Sequence, residues 1–494
     1  MNVHLEFEAV IGLEVHVQLS THTKIFCACR VRPHDGKSVA EILVNSNTCP
    51  VCAGHPGVLP VINRKVIDYA IRAGLATNCK INPKNSFARK NYFYPDLPKG
   101  YQISQYETPI CEQGWLDITT QSGSKRVTIQ RIHMEEDAGK SVHFNDYSLV
   151  NLNRAGVPLI EIVSGPDMRT VEEAGTYLRA LHAVVTYLGI CDGNMQEGNF
   201  RCDANVSVMP KGSKKLGTRA EVKNVNSFRF VEKALEYEIA RQIGVIRSNG
   251  AVIQETRTFD SAKGVTVSMR SKEEAHDYRY FPDPDLVPLL ISEAWIEKVR
   301  SDLPELPQQK KKRFEIELGL SPYDAGVLTS SKAMALFFED VVSALVNKGW
   351  NPRAAAKPIS NFLSGEVARL MNEGDLELSQ GKLKPEHIAE VVQLSKEGIV
   401  SSTGAKQVIA TVWKTGDTVH SIVEREGLKQ VSDLSSLEPA IEKMIATFTH
   451  QVAEYRAGKE KLLGFFVGQV MKETGGKANP GLLQELIKKK LSGS

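Results

Sequence analysis

The sequence lacks several features that would assign it to a class at once. None of its apolar runs reaches the roughly 18 residues that a membrane-spanning helix needs. Eight cysteines in 494 residues are too few for a secreted disulfide scaffold. The first residues lack a basic start followed by an apolar stretch, so we expect no signal peptide. We therefore predict a cytoplasmic protein without a membrane anchor.

The chain also lacks a strong charge of one sign. Its 61 basic and 58 acidic residues leave a net charge of +3, too small to indicate a nucleic-acid-binding protein by charge alone. Any contact with RNA must therefore depend on local basic patches. A hydrophobic share of 42% and a charged share of 24% are typical of globular proteins and exclude wholesale disorder and a coiled-coil rod.

Hydrophobic periodicity separates a strand-rich part from a helical part, and the length suits about three domains. Up to residue 292, many short alternating runs and few helices predict an α+β domain rich in antiparallel strands. We predict a strand over 9–19, with alternating apolar residues, and a nearly continuous apolar strand over 157–163. Helices are predicted over 171–188, 227–244, 333–345, 385–397 and 439–455.

Four of the cysteines stand in two close pairs. Cys27 and Cys29 are followed, nineteen residues later, by Cys49 and Cys52. Four thiolates at this spacing suit a tetrahedral zinc ion, and a site with four protein ligands is closed and therefore structural. Four free thiols in a loop are the alternative. We predict a zinc-binding loop over 27–52.

Three separate segments carry side chains that could hold a cation. Glu14 and His16 are two residues apart on one strand and therefore point to the same side. Glu161 lies within an apolar strand, where an ionised carboxylate is costly unless it is paired or binds a metal. Glu135 and Glu136 belong to an acidic run that can approach a nucleotide only through a divalent cation. A magnesium site is the functional interpretation; a wet polar strand face and a solvated acidic turn are the alternatives.

Two aromatic segments and one basic segment have the composition of nucleic-acid contacts. The segments 91–96 and 277–283 combine aromatic residues, proline and aspartate, which suits base stacking or a substrate pocket; a packed turn is the alternative. The last 44 residues hold eight Lys and Arg against four Glu. Seven lysines there are candidates for phosphate contacts, with a solvated helix surface as the alternative. They are Lys459, Lys461, Lys472, Lys477, Lys488, Lys489 and Lys490.

Along essentially its whole length, the sequence resembles the B-subunit family of the tRNA-dependent amidotransferase GatCAB. The motifs that carry the resemblance are Ile-Gly-Leu-Glu-Val-His at 11–16, Arg-Lys-Asn-Tyr-Phe-Tyr-Pro-Asp at 89–96, and the segments 98–105, 133–141, 153–161, 201–205 and 277–285. Near the C-terminus, 464–471 and 476–480 resemble the tail of YqeY-type proteins. Two positions depart from the family pattern: Asn151 stands where Asp is usual, and Gly165 where Glu is usual.

The resemblance implies a fold, a reaction and partners. It implies a cradle domain over 1–292 similar to the catalytic fold of glutamine synthetase, a helical domain over 293–410 and a YqeY-like, tRNA-binding tail over 411–494. It implies that ATP, with Mg²⁺, phosphorylates the side-chain carboxylate of Glu-tRNA(Gln) or Asp-tRNA(Asn), and that ammonia then displaces the phosphate. The chain shows no glutaminase signature, so ammonia would come from the amidase A subunit of a heterotrimer completed by a small C subunit.

The resemblance also implies roles for individual residues. Glu14, His16, Glu135 and Glu161 match the magnesium and kinase-site positions, and Lys90, Lys99 and Glu136 match polar residues of the ammonia channel. The four cysteines match a zinc site found in part of the family, so we expect catalysis to be independent of zinc. Two other functions stay open: a noncatalytic, zinc-containing tRNA-binding scaffold, and a stand-alone ligase acting on a free amino acid.

Overall fold

The computed structural model of the chain describes residues 6–31, 43–271, 278–374, 376–430, 434–474, 478 and 480–492. Its internal contacts divide the chain into two compact units, one ending at Leu306 and the other beginning at Pro307. The first unit has one hydrophobic core and the second has two. Within the described ranges, no helix is both long enough and apolar enough to cross a membrane.

Of the sixteen strands in the described part of the first unit, twelve form one sheet and four form two small ribbons. The strands are β1 (Phe7–Gln18), β2 (Lys80–Ile81), β3 (Lys84–Asn85), β4 (Ala88–Asn91), β5 (Tyr101–Ser104), β6 (Cys111–Thr120), β7 (Gly123–Glu136), β8 (Lys140–His143), β9 (Ser148–Asn151), β10 (Pro158–Ser164), β11 (Phe200–Pro210), β12 (Ala220–Val225), β13 (Glu255–Asp260), β14 (Val265–Ser271), β15 (Phe281–Pro282) and β16 (Leu289–Leu290). The sheet order is β14-β13-β12-β11-β1-β10-β7-β5-β4-β15, and β6 pairs with β7 and β2. Two small ribbons pair β3 with β16 and β8 with β9.

β1 lies at the centre of this sheet, between β10 and β11. Its apolar residues at odd positions, among them Ile11, Leu13 and Val15, are almost fully buried in the core of the first unit. Glu14 and His16 face the other side and are only partly buried. The structure therefore confirms the predicted strand and its two faces, and it confirms the strand predicted over 157–163 as β10.

Among the described residues of the first unit, four helices complete its core. They are α1 (Arg64–Ala76), α2 (Val171–Tyr187), α3 (Phe228–Arg247) and α4 (Glu293–Ser301). The Thr170 hydroxyl accepts the Glu173 N–H to cap α2, and the Ser227 hydroxyl accepts the Phe230 N–H to cap α3, which satisfies backbone donors that a helix start leaves free. Both predicted helices are confirmed.

Most strand pairs of the sheet are antiparallel, as the sequence predicts, but one pair is parallel. β12 and β13 are parallel, and the other strand pairs of this sheet in the described part of the chain are antiparallel. The exception has a direct cause, because α3 connects β12 to β13 and returns the chain to the same end of the sheet. Parallel neighbours require a crossover of this kind.

The second unit is helical. Its helices are α5 (Pro307–Leu318), α6 (Pro322–Thr329), α7 (Lys332–Val346), α8 (Pro352–Phe362), α9 (Ala368–Gly374), α10 (Pro385–Lys396), α11 (Ser402–Thr415), α12 (Val419–Arg425), α13 (Leu434–Thr447), α14 (Thr449–Arg456), α15 (Leu463–Glu473) and α16 (Pro480–Ser492). The helices predicted over 333–345 and 385–397 are confirmed as α7 and α10. The prediction of a single helix over 439–455 is wrong. α13 begins before residue 439, and Phe448 interrupts the helix and separates α13 from α14. The backbone of Phe448 is not helical, and its ring packs 5.1 Å from that of Phe465.

The hydrophobic cores show to which unit the residues near the predicted domain borders belong. Ile296 and Val299 of α4 lie in the core of the first unit, although the sequence assigns 293–410 to the helical domain. One core of the second unit runs from Phe314 to Val423, and the other from Leu437 to Leu491. A border at residue 410 would cut through α11, whose buried apolar side chains belong to the first of these two cores.

Candidate active site

The candidate site starts from a row of side chains across four neighbouring strands. Antiparallel pairing sets His16 opposite Arg201 of β11 and Glu161 of β10, and it sets Glu161 opposite His133 of β7. Directly opposed residues lie on the same face of a sheet. Because the odd-numbered residues of β1 fill the core, the row lies on the polar face.

Three of the predicted residues form one tight cluster. The Nε2 atom of His16 lies 3.3 Å from a carboxylate oxygen of Glu161 and 3.8 Å from one of Glu135. One potential ligand atom from each residue lies within 4.8 Å of the other two. One imidazole nitrogen and two carboxylate oxygens fit a divalent cation and leave coordination positions for other oxygen ligands.

Histidines keep the carboxylates of this cluster ionised. Burial opposes ionisation of Glu161, but His133 and His16 outweigh it and hold the pKa of that carboxyl well below its usual range. Burial likewise opposes ionisation of Glu135, and a hydrogen bond from His133 helps to lower its pKa. Burial opposes protonation of His16, yet the hydrogen bond and charge of Glu161 raise its pKa to about 9. Both carboxylates are therefore anionic at neutral pH, as metal ligands must be, whereas His16 would have to release its proton before it could ligate a cation.

Glu14, the fourth predicted magnesium ligand, lies beside this cluster. In the described part of the chain, the group of ligand atoms within 4.8 Å contains His16, Glu135 and Glu161 but not Glu14. The Asn205 amide donates to the Glu14 carboxylate at 2.9 Å. Burial raises the pKa of Glu14, and the negative charge of Glu161 raises it further. Glu14 is thus less strongly held in its charged form than the two clustered carboxylates.

An open cavity of about 730 Å³ adjoins Glu14 on the same face of the sheet. Its lining includes Arg131 of β7, Ser164 of β10 and Asn205 of β11, and a loop that follows β11 contributes Arg219. This volume is in the range of small-molecule sites, and the two guanidinium groups suit an anionic ligand. A nucleotide is a ligand of suitable size and charge.

The sequence gives no role to several residues that the structure adds to the site. His133 Nε2 lies 3.4 Å from Glu161 and 3.7 Å from Glu135. Lys223 lies 3.1 Å from both Asp203 and Glu221, near Glu14. A signal for His133 was available, since it stands two residues before Glu135 in one strand and therefore shares its face. The position of Lys223 depends on the pairing of β11 with β12 and has no local signal.

The predicted channel residues occupy two places. The Lys99 ammonium binds both carboxylate oxygens of Glu136, one of them at 2.6 Å, and the Ile103 N–H donates to the same carboxylate at 2.9 Å. Consecutive strand residues face opposite sides, so this pair is separated from Glu135 by the backbone of β7. Lys90 instead lies 4.8 Å from the ring centre of Tyr278, and its charge contributes to the low pKa of Glu161.

The two aromatic segments meet in the structure. β15 pairs with β4, and the rings of Tyr92 and Tyr278 lie 6.1 Å apart. The rings of Tyr106 and Tyr280 are parallel at 4.1 Å. Burial raises the pKa of Tyr280, and the nearby charges of Glu135 and Glu161 raise it further. The segments therefore form an aromatic wall close to the cluster; position 277, where the second motif begins, lies outside the described residues.

The four predicted cysteines come together. One sulfur from each of Cys27, Cys29, Cys49 and Cys52 lies within 4.8 Å of the others. Hydrogen bonds from Cys27 and from the Cys49 backbone, with the charge of Lys24, lower the pKa of Cys52 to about 4 despite its burial. Four cysteine sulfurs are a donor set that zinc prefers, and the low pKa of Cys52 favours its thiolate form, so these residues fit the ion.

The candidate lysines of the tail differ in their surroundings. Lys459 is paired with Glu454 at 2.6 Å, and Lys490 with Glu442 at 3.1 Å. The side chains of Lys461, Lys472, Lys488 and Lys489 are exposed. Lys477 lies outside the described residues.

Both departures from the family pattern fit their surroundings. The Asn151 side chain accepts the Asn153 N–H at 3.0 Å, a contact that an aspartate oxygen could also make. A Cβ atom added at Gly165 would lie 2.1 Å from the Thr128 hydroxyl and 2.8 Å from a carboxylate oxygen of Asp167. Glycine at this position is therefore matched to Thr128.

Comparison with known proteins agrees with this architecture. Residues 9–297 match the GatB/GatE catalytic domain, and residues 337–491 match the GatB domain. The B subunit of the aspartyl/glutamyl-tRNA(Asn/Gln) amidotransferase from Geotalea daltonii is 57% identical over 494 residues, which cover 99% of this chain and 100% of the relative. The protein of the same name from Syntrophotalea carbinolica is 55% identical over 488 residues, which cover 99% of this chain and 99% of the relative. The one from Persephonella marina is 52% identical over 488 residues, which cover 98% of this chain and 100% of the relative. The chain therefore belongs to the GatB family of amidotransferase B subunits.

Proposed function

We propose that this chain carries the site that activates and amidates the side-chain carboxylate of Glu-tRNA(Gln) or Asp-tRNA(Asn). The observation that carries the proposal is the cluster of His16, Glu135 and Glu161 on the same sheet face as a cavity of about 730 Å³. The activity after which the relatives are named supports this class of substrate. The similarity of the first unit to the glutamine synthetase fold is part of the proposal.

The first step is a phosphoryl transfer between two anions. An oxygen of the substrate carboxylate attacks the γ-phosphorus of ATP. The bond between this phosphorus and the oxygen that bridges it to the β-phosphate breaks, so ADP departs and the substrate carries an acyl phosphate. His16, Glu135 and Glu161 would hold Mg²⁺, which supplies positive charge to the phosphates. Arg131 and Arg219 add positive charge from the cavity wall. Such catalysis consists mainly of positioning and of electrostatic stabilisation.

The second step replaces phosphate by nitrogen. Ammonia attacks the acyl carbon, the carbon–oxygen bond to phosphate breaks, and the amide forms with loss of one proton. We assign Lys90, Lys99 and Glu136 to the ammonia route. Alternating cationic and anionic side chains can pass neutral ammonia along such a route by proton relay. The ammonia would come from a glutaminase partner, within a cytoplasmic heterotrimer that also contains a small C subunit.

The remaining parts would hold the tRNA and stabilise the fold. We propose that exposed lysines of the tail contact tRNA phosphates, and that zinc on the four cysteines fixes the loop over 27–52. A noncatalytic scaffold would share both features. The buried carboxylates distinguish the two functions, because a scaffold has no need to hold Glu135 and Glu161 ionised next to a cavity.

The test measures ADP release by the purified heterotrimer with ATP and Mg²⁺. Charged Glu-tRNA(Gln) is compared with the same tRNA deacylated, for the wild type, Glu161→Gln and Glu112→Gln. Glu112 is the matched control, since it is a strand carboxylate paired with Lys80 outside the site. We expect a burst of ADP only with charged tRNA, reduced by about 100-fold or more in Glu161→Gln and unchanged in Glu112→Gln.

Binding of tRNA by the same variants completes the test. Glu161→Gln should bind tRNA as tightly as the wild type, because its substitution leaves the basic tail untouched. Equal ADP release from wild type and Glu161→Gln would place the kinase chemistry elsewhere and favour the scaffold.

A further inference from the structure

The segment that holds the four cysteines, described over 27–31 and 43–61 and called here the four-cysteine loop, contacts Lys99 through its backbone. Gly54, two residues after Cys52, has a positive φ of 69°. A Cβ atom at this position would lie 2.9 Å from both the backbone nitrogen and the Cγ atom of Lys99, and 3.0 Å from the carbonyl carbon of Pro98. No side chain fits between the loop and Lys99, so displacement of the loop would displace Lys99 or expose it.

A second contact links the same loop to Glu136. Gly156 has a φ of 80°, and a Cβ atom there would lie 3.5 Å from Cys52 and 3.9 Å from a carboxylate oxygen of Glu136. The fully buried Lys24 completes this layer, since its ammonium lies 3.5 Å from the Cys52 sulfur and donates to the Asn47 carbonyl at 3.0 Å. One metal-ligating cysteine is thus separated from the ion pair by a single glycine.

A small enclosed cavity lies between the loop and the ion pair. Cys27, Val51 and Cys52 line one side, and Lys99, Ile103 and Glu136 line the other. Of the apolar residues described in this loop, Val44, Leu59 and Val61 are mostly exposed. The cysteine group is therefore one constraint on the wall that faces Lys99 and Glu136, beside hydrogen bonds such as the one that the Asn47 N–H donates to the Asn153 side chain.

We propose that the four-cysteine loop is a positioning element for amidation. A metal held by Cys27, Cys29, Cys49 and Cys52 fixes the loop, and the loop keeps Lys99 and Glu136 paired. This inference rests on the proposed function, in which that pair serves the ammonia step, and it reverses the expectation that amidation is independent of zinc. The phosphorylation site on the opposite face of β7 does not share these contacts.

The test uses two glycines of the loop in the full heterotrimer. Gly54→Ala strains a positive φ and inserts a methyl group against Lys99; Gly57→Ala strains a similar φ of 81° but has no atom within 4 Å of the added Cβ. Three quantities are measured for each: bound zinc per chain, ADP released, and amide formed per ADP. We expect Gly54→Ala to keep its zinc and its ADP release while amide per ADP falls by about tenfold or more. Gly57→Ala should match the wild type in all three.

Hydrogen exchange gives a readout that does not depend on activity. Removal of zinc from the wild-type heterotrimer by a chelator should accelerate exchange of the amides at 99–103 and leave those of β1 unchanged. Unchanged exchange at 99–103, or equal amide per ADP in the two glycine variants, overturns the proposal. If Gly54→Ala loses zinc, the exchange measurement alone decides. Failure of the proposed function is recognised separately, because Glu161→Gln would then keep its ADP burst.

Discussion

His133 and His16 approach the same oxygen of Glu161, at 3.4 and 3.3 Å, from the two strands that flank β10. The carboxylate is thus held between two imidazoles, and His133 also lies 3.7 Å from Glu135. The Nδ1 atom of His133 is buried and has no hydrogen-bond partner in the described part of the chain. The interactions of this ring are therefore directed at the two carboxylates.

His133→Ala should weaken cation binding by the cluster. Loss of the ring removes a group that orients both carboxylates and favours their ionised form. Removal of such a supporting group typically lowers metal affinity by about 10- to 100-fold. Mn²⁺ binding measured by electron paramagnetic resonance checks this. His143→Ala is the control, since His143 is exposed on β8 and contacts Ser148. Equal Mn²⁺ affinity in the two variants would contradict the supporting role of His133.

Lys24→Met should reduce zinc retention. Four thiolates on one zinc ion leave a net negative charge, and the buried Lys24 ammonium beside Cys52 compensates part of it. We expect about tenfold weaker zinc affinity in competition with a chromogenic chelator. Lys65→Met is the matched control because Lys65 is exposed and lies over the ring of Tyr69. Identical zinc release curves for the two variants would show that Lys24 serves only packing.

Glu238 should stabilise the first unit in a pH-dependent way. It is fully buried and accepts hydrogen bonds from Arg241 at 2.9 Å and Thr266 at 2.8 Å, and Arg257 lies 3.2 Å away. Burial opposes ionisation, but these donors lower the pKa of Glu238 below its ordinary value of 4.5. Its contribution is therefore present above the unfolded-state pKa and is lost as the pH falls through the folded-state pKa.

Glu238→Gln should lower the free energy of unfolding of the first unit by about 3 kcal/mol at neutral pH, because Arg241 and the buried Arg257 then share, among the described residues, only the carboxylate of Glu255. The loss should shrink as the pH falls below the unfolded-state pKa of Glu238. Hydrogen exchange of β13 and β14 amides measures it region by region, which suits a chain of several units. Glu297→Gln, at an exposed pair with Arg300, should change stability by less than about 1 kcal/mol. Equal effects of the two substitutions would contradict the role of burial.

Lysines of the tail should contribute unequally to tRNA binding. Lys461 is exposed, whereas Lys459 is held by Glu454 at 2.6 Å. Lys461→Ala should therefore weaken tRNA binding and reduce the slope of log Kd against log salt by about 1, and Lys459→Ala should have the smaller effect. Filter binding at several salt concentrations measures both. A salt slope unchanged in Lys461→Ala would leave that lysine on the solvated surface.

Local patterns predicted a large part of the molecule. The alternation over 9–19 correctly placed Glu14 and His16 on the polar face of a strand, and the spacing of the four cysteines correctly grouped their sulfurs. The break at Phe448 was missed; there the backbone leaves the helical conformation, and the ring packs 5.1 Å from that of Phe465.

Local sequence alone fixes which residue faces which side of its own strand, since alternation is a property of neighbouring residues. Which strands lie side by side, and in what register, is settled only by the folded sheet. That register places Glu161 between His16 and His133 and leaves Glu14 beside the cluster. The ion pair of Lys99 and Glu136 lies on the opposite face of β7. Alternation decides only which face of each strand is buried, whereas the residue that lies opposite on a strand far away in the chain depends on the hydrogen bonds between the two strands.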